Sequence, residues 1–120
     1  MSPKHWRDRV SHILDAIREI REFTNGMDRT AFKRDARTVK AVCTDFTIIG
    51  EAVGHIPDEI RALAPGIEWS KIRGMRNFVV HVYHAIDEDV LWDTIQNDLT
   101  PLESSLRTLL DRPDTDLAGR

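Results

Sequence analysis

The sequence predicts an all-α protein, a bundle of four or five helices joined by short connections. Apolar residues recur at three- and four-residue steps along most of the chain, which is the spacing of one helix face. No segment alternates apolar and polar residues for long enough to predict a strand. Turn-forming pairs, Asn25-Gly26 and Pro65-Gly66, separate the periodic stretches.

Composition narrows the class of protein further. With 120 residues, 41% of them hydrophobic and 31% charged, the chain is a single domain that can bury a core without disulfides. The lone Cys43 excludes an intramolecular disulfide and a cysteine-based zinc site. The net charge of -3 gives no overall attraction to nucleic acid, so any contact with RNA needs a local basic patch. With no apolar run of about 20 residues and no signal-peptide core, we expect a cytoplasmic protein.

The first two helical stretches are bounded by recognisable signals. The first helix is expected to begin at Ser2 and Pro3, which suit the N-cap and the first helical position, and to end at Asn25-Gly26. Its apolar stripe consists of Trp6, Val10, Ile13, Leu14, Ile17, Ile20 and Phe23. A second amphipathic stretch extends from about Asp28 to Ile56, with a break expected near Lys33. Gly50 and Gly54 within it predict that another helix approaches closely.

Three further helices are predicted. A short one lies between Pro57 and Pro65, the next extends from about Glu68 to Ala85, and Asp87 caps the last one. The apolar stripe of the last helix is Val90, Leu91, Ile95, Leu99, Leu102, Leu106, Leu109 and Leu110. Pro101 inside that stripe predicts either a kink or a restart with Thr100 as the cap. We expect residues 1–112 to form the domain and residues 113–120 to be a frayed tail.

The helix that contains "RNFVVHVYHAID" mixes polar and apolar residues in an unusual way. On a helical wheel the core stripe is Ile72, Met75, Val79, Val82 and Ile86. Arg73, Asn77 and His84 lie opposite that stripe, with His81 slightly further round. Because Phe78, Val80 and Tyr83 accompany these polar groups, the second face resembles a partner surface. The simplest partner is a second copy in a symmetric dimer.

The chemistry of these side chains fits cleavage of RNA without a metal. His81 carries an imidazole, which titrates near neutral pH in water and can transfer protons. Arg76 can clamp a phosphate and stabilise charge on a phosphorane, while Asn77 and Tyr83 can hold substrate. Arg76 and His81 are about 140° apart on an ideal helix, which favours a composite site between two copies. Interfacial polar residues with a purely structural role fit the same pattern.

The motif residues also resemble a known family. Arg76, His81 and Tyr83 match the R-x4-H-x-Y motif of the HEPN superfamily, and the flanking blocks are similar to its DUF86 branch, the HepT-like toxins. Those blocks are "RDARTVKAV" at Arg34–Val42, "IIGEAVGHIPDEI" at Ile48–Ile60, "WSKIRGMRN" at Trp69–Asn77 and "HVYHAIDEDVLWDTIQNDLTPL" at His81–Leu102. The similarity extends from about Trp6 to Leu110, and several blocks in one order make it specific.

The resemblance implies a function as well as a fold. It implies a homodimeric helical bundle whose two motif helices share a cleft, and a ribonuclease toxin that needs neither metal nor cofactor. Arg76 and His81 would be catalytic, with Arg73 and Asn77 in support. Its partner would be a minimal nucleotidyltransferase antitoxin that transfers AMP to Tyr83. The expected substrate is RNA, with tRNA the first candidate.

Two other functional classes remain open on the sequence. The same fold could serve as a nucleotide- or partner-binding subunit of a nucleotidyltransferase complex without cleaving RNA. A plain structural dimer is the third class, although it would need none of the motif residues. His84 could assist RNA binding or simply face solvent or an interface, and Glu51 could pair with a motif arginine or support a helix contact. Trp69 and Trp92 are expected to anchor their helices in the core.

Overall fold

Helices make up the regular secondary structure of the computed structural model, which describes residues 5–78 and 87–113. The helices in chain order are α1 (His5–Thr24), α2 (Arg29–Arg34), α3 (Ala36–Gly54), α4 (Asp58–Arg61), α5 (Trp69–Gly74), a 3-10 helix (Met75–Phe78) and α6 (Glu88–Leu110). The predicted all-α class is confirmed. The predicted start of α1 at Ser2 lies outside the described residues, as do residues 114–120 of the predicted tail.

Aspartate side chains begin three of the helices. Asp28, Asp35 and Asp87 accept hydrogen bonds from the backbone N–H groups of Ala31, Thr38 and Val90 at 2.8, 3.0 and 3.1 Å. Each bond satisfies one of the donors that a helix start leaves free. The cap predicted at Asp87 is confirmed, and the break predicted near Lys33 comes at Asp35. Gly26 has a φ of 78°, which only glycine adopts at no steric cost, and it turns the chain after α1.

The core lies between α1, α3 and α6. α3 packs against α1 on one side and against α5 and the 3-10 helix on another, while α6 contacts α1 and α2. The largest fully buried side chains include Trp6, Phe32, Phe46, Ile13, Ile17, Ile20, Ile49, Leu91, Leu99 and Leu106. Burying each large apolar side chain is worth roughly 1.5–3 kcal/mol, so this layer supplies most of the favourable free energy of folding.

The predicted apolar stripes hold along their lengths and fail near two helix ends. Phe23, in the last turn of α1, is 40% exposed, and Val90, in the first turn of α6, is 46% exposed. Both were expected in the core and are corrections to the prediction. They stand in the terminal turns of their helices, where a stripe can extend past the side chains that would cover it.

The helix predicted from Glu68 to Ala85 is not a continuous α-helix. α5 begins at Trp69 and ends at Gly74, and a 3-10 helix follows over Met75–Phe78. Glycine has a low helix propensity, and a tightened 3-10 turn is common where an α-helix ends. The remainder of the predicted helix, residues 79–86, lies outside the described residues.

Trp69 fixes the start of α5. Its indole N–H lies 3.1 Å from the Arg61 carbonyl and 3.2 Å from the Ala64 carbonyl, so it ties α5 to the turn that follows α4. Trp92 is buried on α6 with its ring centroid 5.4 Å from that of Phe32 on α2. The core position predicted for Trp92 is confirmed, whereas Trp69 is half-buried and anchors its helix at the edge of the core.

Pro101 lies inside α6 without dividing it, so the predicted restart at Thr100 is wrong. A proline removes the hydrogen bond that the carbonyl four residues earlier would accept. Here that carbonyl belongs to Asn97, and both Asn97 and Pro101 are exposed. Water can therefore satisfy the carbonyl, which lets the helix continue.

Ion pairs join α2 to the first turns of α6. Arg29 contacts Asp89 at 3.0 Å and Asp93 at 2.7 Å, and Lys33 contacts Asp89 at 3.1 Å.

Along the described ranges, no helix combines the length and the apolar character needed to cross a bilayer.

Candidate functional site

The motif arginine is held by a close contact between two stretches of backbone. α3 meets α5 and the 3-10 helix at Gly50, which is buried. A methyl group at Gly50 would lie 2.7 Å from the Arg76 backbone nitrogen and 2.8 Å from both the Arg73 carbonyl oxygen and the Arg76 Cβ. Such distances are shorter than a carbon side chain tolerates. Gly50 therefore allows the approach predicted from the glycine pair, and it sets where Arg76 stands.

Buried residues alternate with exposed polar ones along this segment. Ile72 is 5% exposed and Met75 is 2% exposed, so both anchor the segment in the core as the helical wheel predicts. Arg73, Asn77 and Arg76 are exposed. Arg73 and Arg76 are three residues apart, which is close to one turn in either helix type, so their side chains leave the same side of the segment. The structure thus brings together three of the predicted site residues.

The two arginines have no carboxylate partner in the described part of the chain. Neither Arg73 nor Arg76 forms a salt bridge with a described residue, and exposed Glu51 pairs with neither of them. Lys71, on the same helix, is different because it pairs with Asp98 at 3.4 Å. The guanidinium groups of Arg73 and Arg76 are therefore available to an anionic ligand.

Arg73 also lies beside the carboxyl end of α3. A methyl group at Gly54 would stand 3.9 Å from the Arg73 Nε, which is ordinary van der Waals contact. The end of a helix carries partial negative charge, so it favours a cation there. α3 thereby helps to position Arg73 without neutralising it, and the second glycine of the predicted pair permits a side-chain contact rather than a backbone crossing.

The other predicted site residues follow the 3-10 helix in the sequence. His81 and Tyr83 lie outside the described residues, as do Val79, Val80, Val82, His84 and Ile86. In the segments that the structure does describe, no three His, Cys, Asp or Glu side chains come together in a way that could hold a metal ion.

A buried carboxyl group that sequence reasoning missed lies on another flank of α3. Asp45 is 2% exposed, and its Oδ2 has no hydrogen-bond donor. Burial, followed by the neighbouring carboxyl group of Glu19, raises the pKa of Asp45 to about 7. The available signal was an aspartate between Val42 and Phe46 in the apolar face of α3, where a charge is not expected. Cys43 beside it is buried as well, which raises the pKa of its thiol.

Comparison with known proteins agrees with this description. The family model described as "Ribonuclease HepT-like" matches residues 13–109. A "Probable ribonuclease HepT" of Thermococcus cleftensis is 35% identical over 103 residues, which cover 86% of this chain and 94% of that protein. No solved structure shows significant similarity.

Further relatives come from other microorganisms. "Putative RNase MJ0127" of Methanocaldococcus jannaschii is 29% identical over 91% of this chain and 93% of its own length. "Putative RNase TTE0752" of Caldanaerobacter subterraneus is 29% identical over 88% of this chain and 95% of its own length. The family match spans most of the chain, including α3, α5 and nearly all of α6. The chain therefore belongs to the HepT-like ribonuclease family.

Proposed function

We propose that this protein is a metal-independent endoribonuclease that acts as the toxin of a toxin–antitoxin pair in the cytoplasm. Family membership and the ribonuclease names of its relatives support RNA cleavage in general. The observation that carries the proposal is the exposed group of Arg73, Arg76 and Asn77, held against α3 and free of salt bridges to described residues. A scaffold that leaves two guanidinium groups uncompensated is suited to binding phosphate.

The proposed reaction is an internal transesterification. His81 removes the proton from a ribose 2′-OH, and the resulting oxygen attacks the adjacent phosphorus. Arg76 stabilises the negative charge that builds on the phosphorane oxygens. The bond from phosphorus to the 5′ oxygen then breaks, and that oxygen takes a proton from an imidazolium or from water. The products are a 2′,3′-cyclic phosphate and a 5′-OH end.

Supporting roles follow from position along the motif. Arg73 is proposed to contact a neighbouring phosphate, because it leaves the same side of the segment as Arg76. Asn77 is proposed to hydrogen-bond substrate or to orient the His81 ring. tRNA is the first substrate to test, since folded RNA presents single-stranded loops whose 2′-OH groups can reach an in-line geometry.

The site is proposed to be complete only in a homodimer. A twofold axis beside the motif would place two copies of Arg76 and His81 around one cleft, which relieves the wide angle between them on a single helix. Exposure of the polar side of the motif segment, opposite the buried Ile72 and Met75, leaves that side available to a second copy.

Tyr83 is proposed to be the point of control. A cognate minimal nucleotidyltransferase, acting as the antitoxin, would transfer AMP from ATP to the Tyr83 oxygen and release pyrophosphate. A nucleotide at this position carries a phosphate that can pair with Arg73 or Arg76 and so block RNA. Modification would therefore silence the enzyme by occupying the groups that bind substrate.

A second candidate function uses the same surface without chemistry. The exposed arginines would suit a nucleotide- or partner-binding subunit of a nucleotidyltransferase complex equally well. The two functions differ in whether the phosphodiester bond breaks, and that difference can be measured directly. A purely structural dimer is disfavoured, because it would not need two uncompensated arginines beside the close backbone contact at Gly50.

The deciding experiment is cleavage of total RNA and purified tRNA by the unmodified protein in EDTA. His81→Ala and Arg76→Ala are compared with Arg34→Ala, which removes another exposed arginine that forms no salt bridge with described residues. We expect the first two variants to lose at least about 100-fold in rate, the low end for a general base. Direct phosphorylation of the products by polynucleotide kinase would demonstrate the 5′-OH ends.

Two results would redirect the interpretation. Wild-type-like cleavage by either motif variant contradicts the roles assigned to Arg76 and His81. Absence of cleavage by the wild type, with an intact mass that shows no AMP on Tyr83, favours the binding subunit. Circular dichroism and the molecular mass of each variant serve as controls for fold and assembly.

A further inference from the structure

An acidic notch lies between α1 and α3, away from the motif arginines. Its walls are formed by His12, Asp15, Ala16, Glu19, Asp45 and Ile48, around a cavity of about 180 Å³. On α3, Asp45 and Gly50 are about 140° apart around the helix axis. The notch therefore opens on a different flank from the surface that carries Arg76, and the proposed cleavage reaction does not use it.

Asp45 in this notch is a buried hydrogen-bond acceptor that lacks a donor. Asp45 is only 2% exposed, and its Oδ2 meets no hydrogen-bond donor in the described chain. Glu19 faces it with a second carboxyl group, and the two can coexist only when a proton or another cation lies between them. A buried acceptor without a donor destabilises the folded state, so a donor supplied from outside would stabilise the site.

The geometry favours an organic cation over a metal ion. No three metal-ligating side chains converge anywhere in residues 5–78 and 87–113, although three carboxylates line this notch at wider spacing. A guanidinium group can donate to several carboxylate oxygens at once through its planar set of five N–H donors. The cavity volume of about 180 Å³ is also several times the roughly 30 Å³ that one water molecule occupies in the liquid, so the cavity has room for a larger group.

The chain itself carries a suitable guanidinium in line with the notch. Arg37, Ala41 and Asp45 follow one another at four-residue steps on α3, so they form one row along its surface. Arg37 is exposed and forms no salt bridge with any residue in the described ranges. Ala41, at the centre of the row, is small and half-buried, which permits close approach of another helix.

We propose that the face formed by α1 and α3 docks a second copy of this chain, with Arg37 of each copy inserted into the acidic notch of the other. Two antiparallel α3 helices related by a twofold axis at Ala41 bring Arg37 opposite Asp45 twice. Each arginine is then about 6 Å along the helix from the axis, as is each Asp45. The contact is self-complementary, as a symmetric interface requires.

Exposed apolar side chains flank the notch. Ile48, on its wall, is 42% exposed, and Phe23, one turn beyond Glu19 on α1, is 40% exposed. They are two of the three large apolar side chains that are exposed in the described residues. An interface with charged pairs beside apolar contacts resembles the usual arrangement of a protein–protein interface.

This face is separate from the proposed motif dimer. A molecule with two different twofold interfaces assembles into a tetramer of dihedral symmetry or into an open chain. Loss of the notch contact would reduce the assembly by one step and leave cleavage by the motif dimer in place. The two proposals can therefore fail independently.

The test is the molecular mass in solution, measured by light scattering on a size-exclusion column at several concentrations. Arg37→Glu reverses the inserted charge, and Asp15→Arg reverses a charge on the exposed wall of the notch. Lys40→Glu is the matched control, because it reverses another exposed basic residue of α3 that lies outside the row. Arg37→Glu places an acidic residue in the first turn of α3, which suits the helix dipole, so it should fold.

We expect each of Arg37→Glu and Asp15→Arg to halve the mass, the double variant to restore it, and Lys40→Glu to leave it unchanged. An unchanged mass in Arg37→Glu overturns the proposal, as does a wild type that stays monomeric at every concentration. A loss in both single variants without recovery in the double variant also overturns the Arg37–notch contact. Thermal melting of each variant verifies that it is folded.

Discussion

The α-carbon of Gly50 on α3 faces the backbone of Arg76 so closely that a methyl group there would lie 2.7 Å from the Arg76 nitrogen. The position of Arg76, which is proposed to stabilise the transition state, is thus fixed by a backbone contact and not by a flexible side chain. Backbone atoms of two packed helical segments cannot both move aside cheaply. The position of Arg76 is therefore coupled to the packing of α3.

Gly50→Ala is expected to destabilise the fold by roughly 1–3 kcal/mol, the usual cost of overpacking, and to displace Arg76. RNA cleavage should fall even at a temperature where the variant is fully folded. Gly54→Ala is the matched control, because its methyl group would meet only the Arg73 Nε at 3.9 Å. Denaturant unfolding and cleavage rates of both variants provide the check. Equal stability and activity in Gly50→Ala would show that the backbone contact is not a constraint.

Local signals in the sequence were sufficient for much of the fold. The aspartate at Asp87 and the glycine at Gly26 act within four residues of themselves, so their effects on helix ends could be predicted. The periodic apolar residues identify the core faces for the same reason. The close contact at Gly50 could also be predicted, because a close approach between helices requires a residue without a side chain, whichever helix packs there.

Other features depend on distant partners and could not be predicted. The 3-10 helix at Met75–Phe78 differs from an α-helix by a small change in hydrogen-bond spacing, which packing against α3 can decide. The raised pKa of Asp45 needs burial and then the carboxyl group of Glu19, and both arise only when α1 packs on α3. Nothing local to Phe23 signals that it is uncovered.

Arg73→Ala is expected to weaken RNA binding without removing the chemical step. A phosphate contact contributes to affinity through charge, so the variant should raise KM several-fold, change kcat little and reduce the slope of log K against log salt by about 1. Lys71→Ala is the control, since that lysine lies on the same helix but pairs with Asp98. Binding titrations at several salt concentrations separate the two. Identical salt slopes for wild type and Arg73→Ala would remove Arg73 from the binding surface.

The ion pairs between α2 and α6 should make the fold sensitive to acid. Arg29, and then Lys33, hold the pKa of Asp89 below its ordinary value of 3.8. A depressed pKa stabilises the folded state at pH values above about 4, and the stabilisation disappears as pH falls through the folded-state pKa. Asp89→Asn should therefore lower the Tm at pH 7, and this difference should shrink progressively as pH falls below about 4.

Salt provides the control for this prediction. The pairs are exposed, so about 1 M salt should shrink the difference in Tm between wild type and Asp89→Asn at pH 7. Thermal melting across pH and salt gives both comparisons. A difference that persists undiminished in high salt would indicate a packing role for Asp89 in place of the ionic one.

Asp45 should produce the opposite dependence on pH. Its pKa is raised from 3.8 to about 7 in the folded chain, so the folded state binds a proton that the unfolded state has lost. The contribution of the Asp45 carboxyl to the free energy of unfolding has its full value below pH 4 and is lost as pH rises through about 7. Between pH 5.5 and 8 the loss should be roughly 2 kcal/mol, taking 1.36 kcal/mol for each pKa unit.

The pH effect of Asp45 is isolated by comparing two proteins: the Arg37→Glu variant and the double variant that also carries Asp45→Asn. Neither contains the guanidinium group that is proposed to enter the notch. His12, Asp15 and Glu19, which line the notch with Asp45, are present in both chains, so the difference reports the Asp45 carboxyl together with its interaction with Glu19. We expect denaturant unfolding to show Asp45→Asn gaining stability relative to Asp45 as pH rises from 5.5 to 8. A constant difference across that range would mean that Asp45 is already ionised in the folded chain, and that the notch meets its charge in another way.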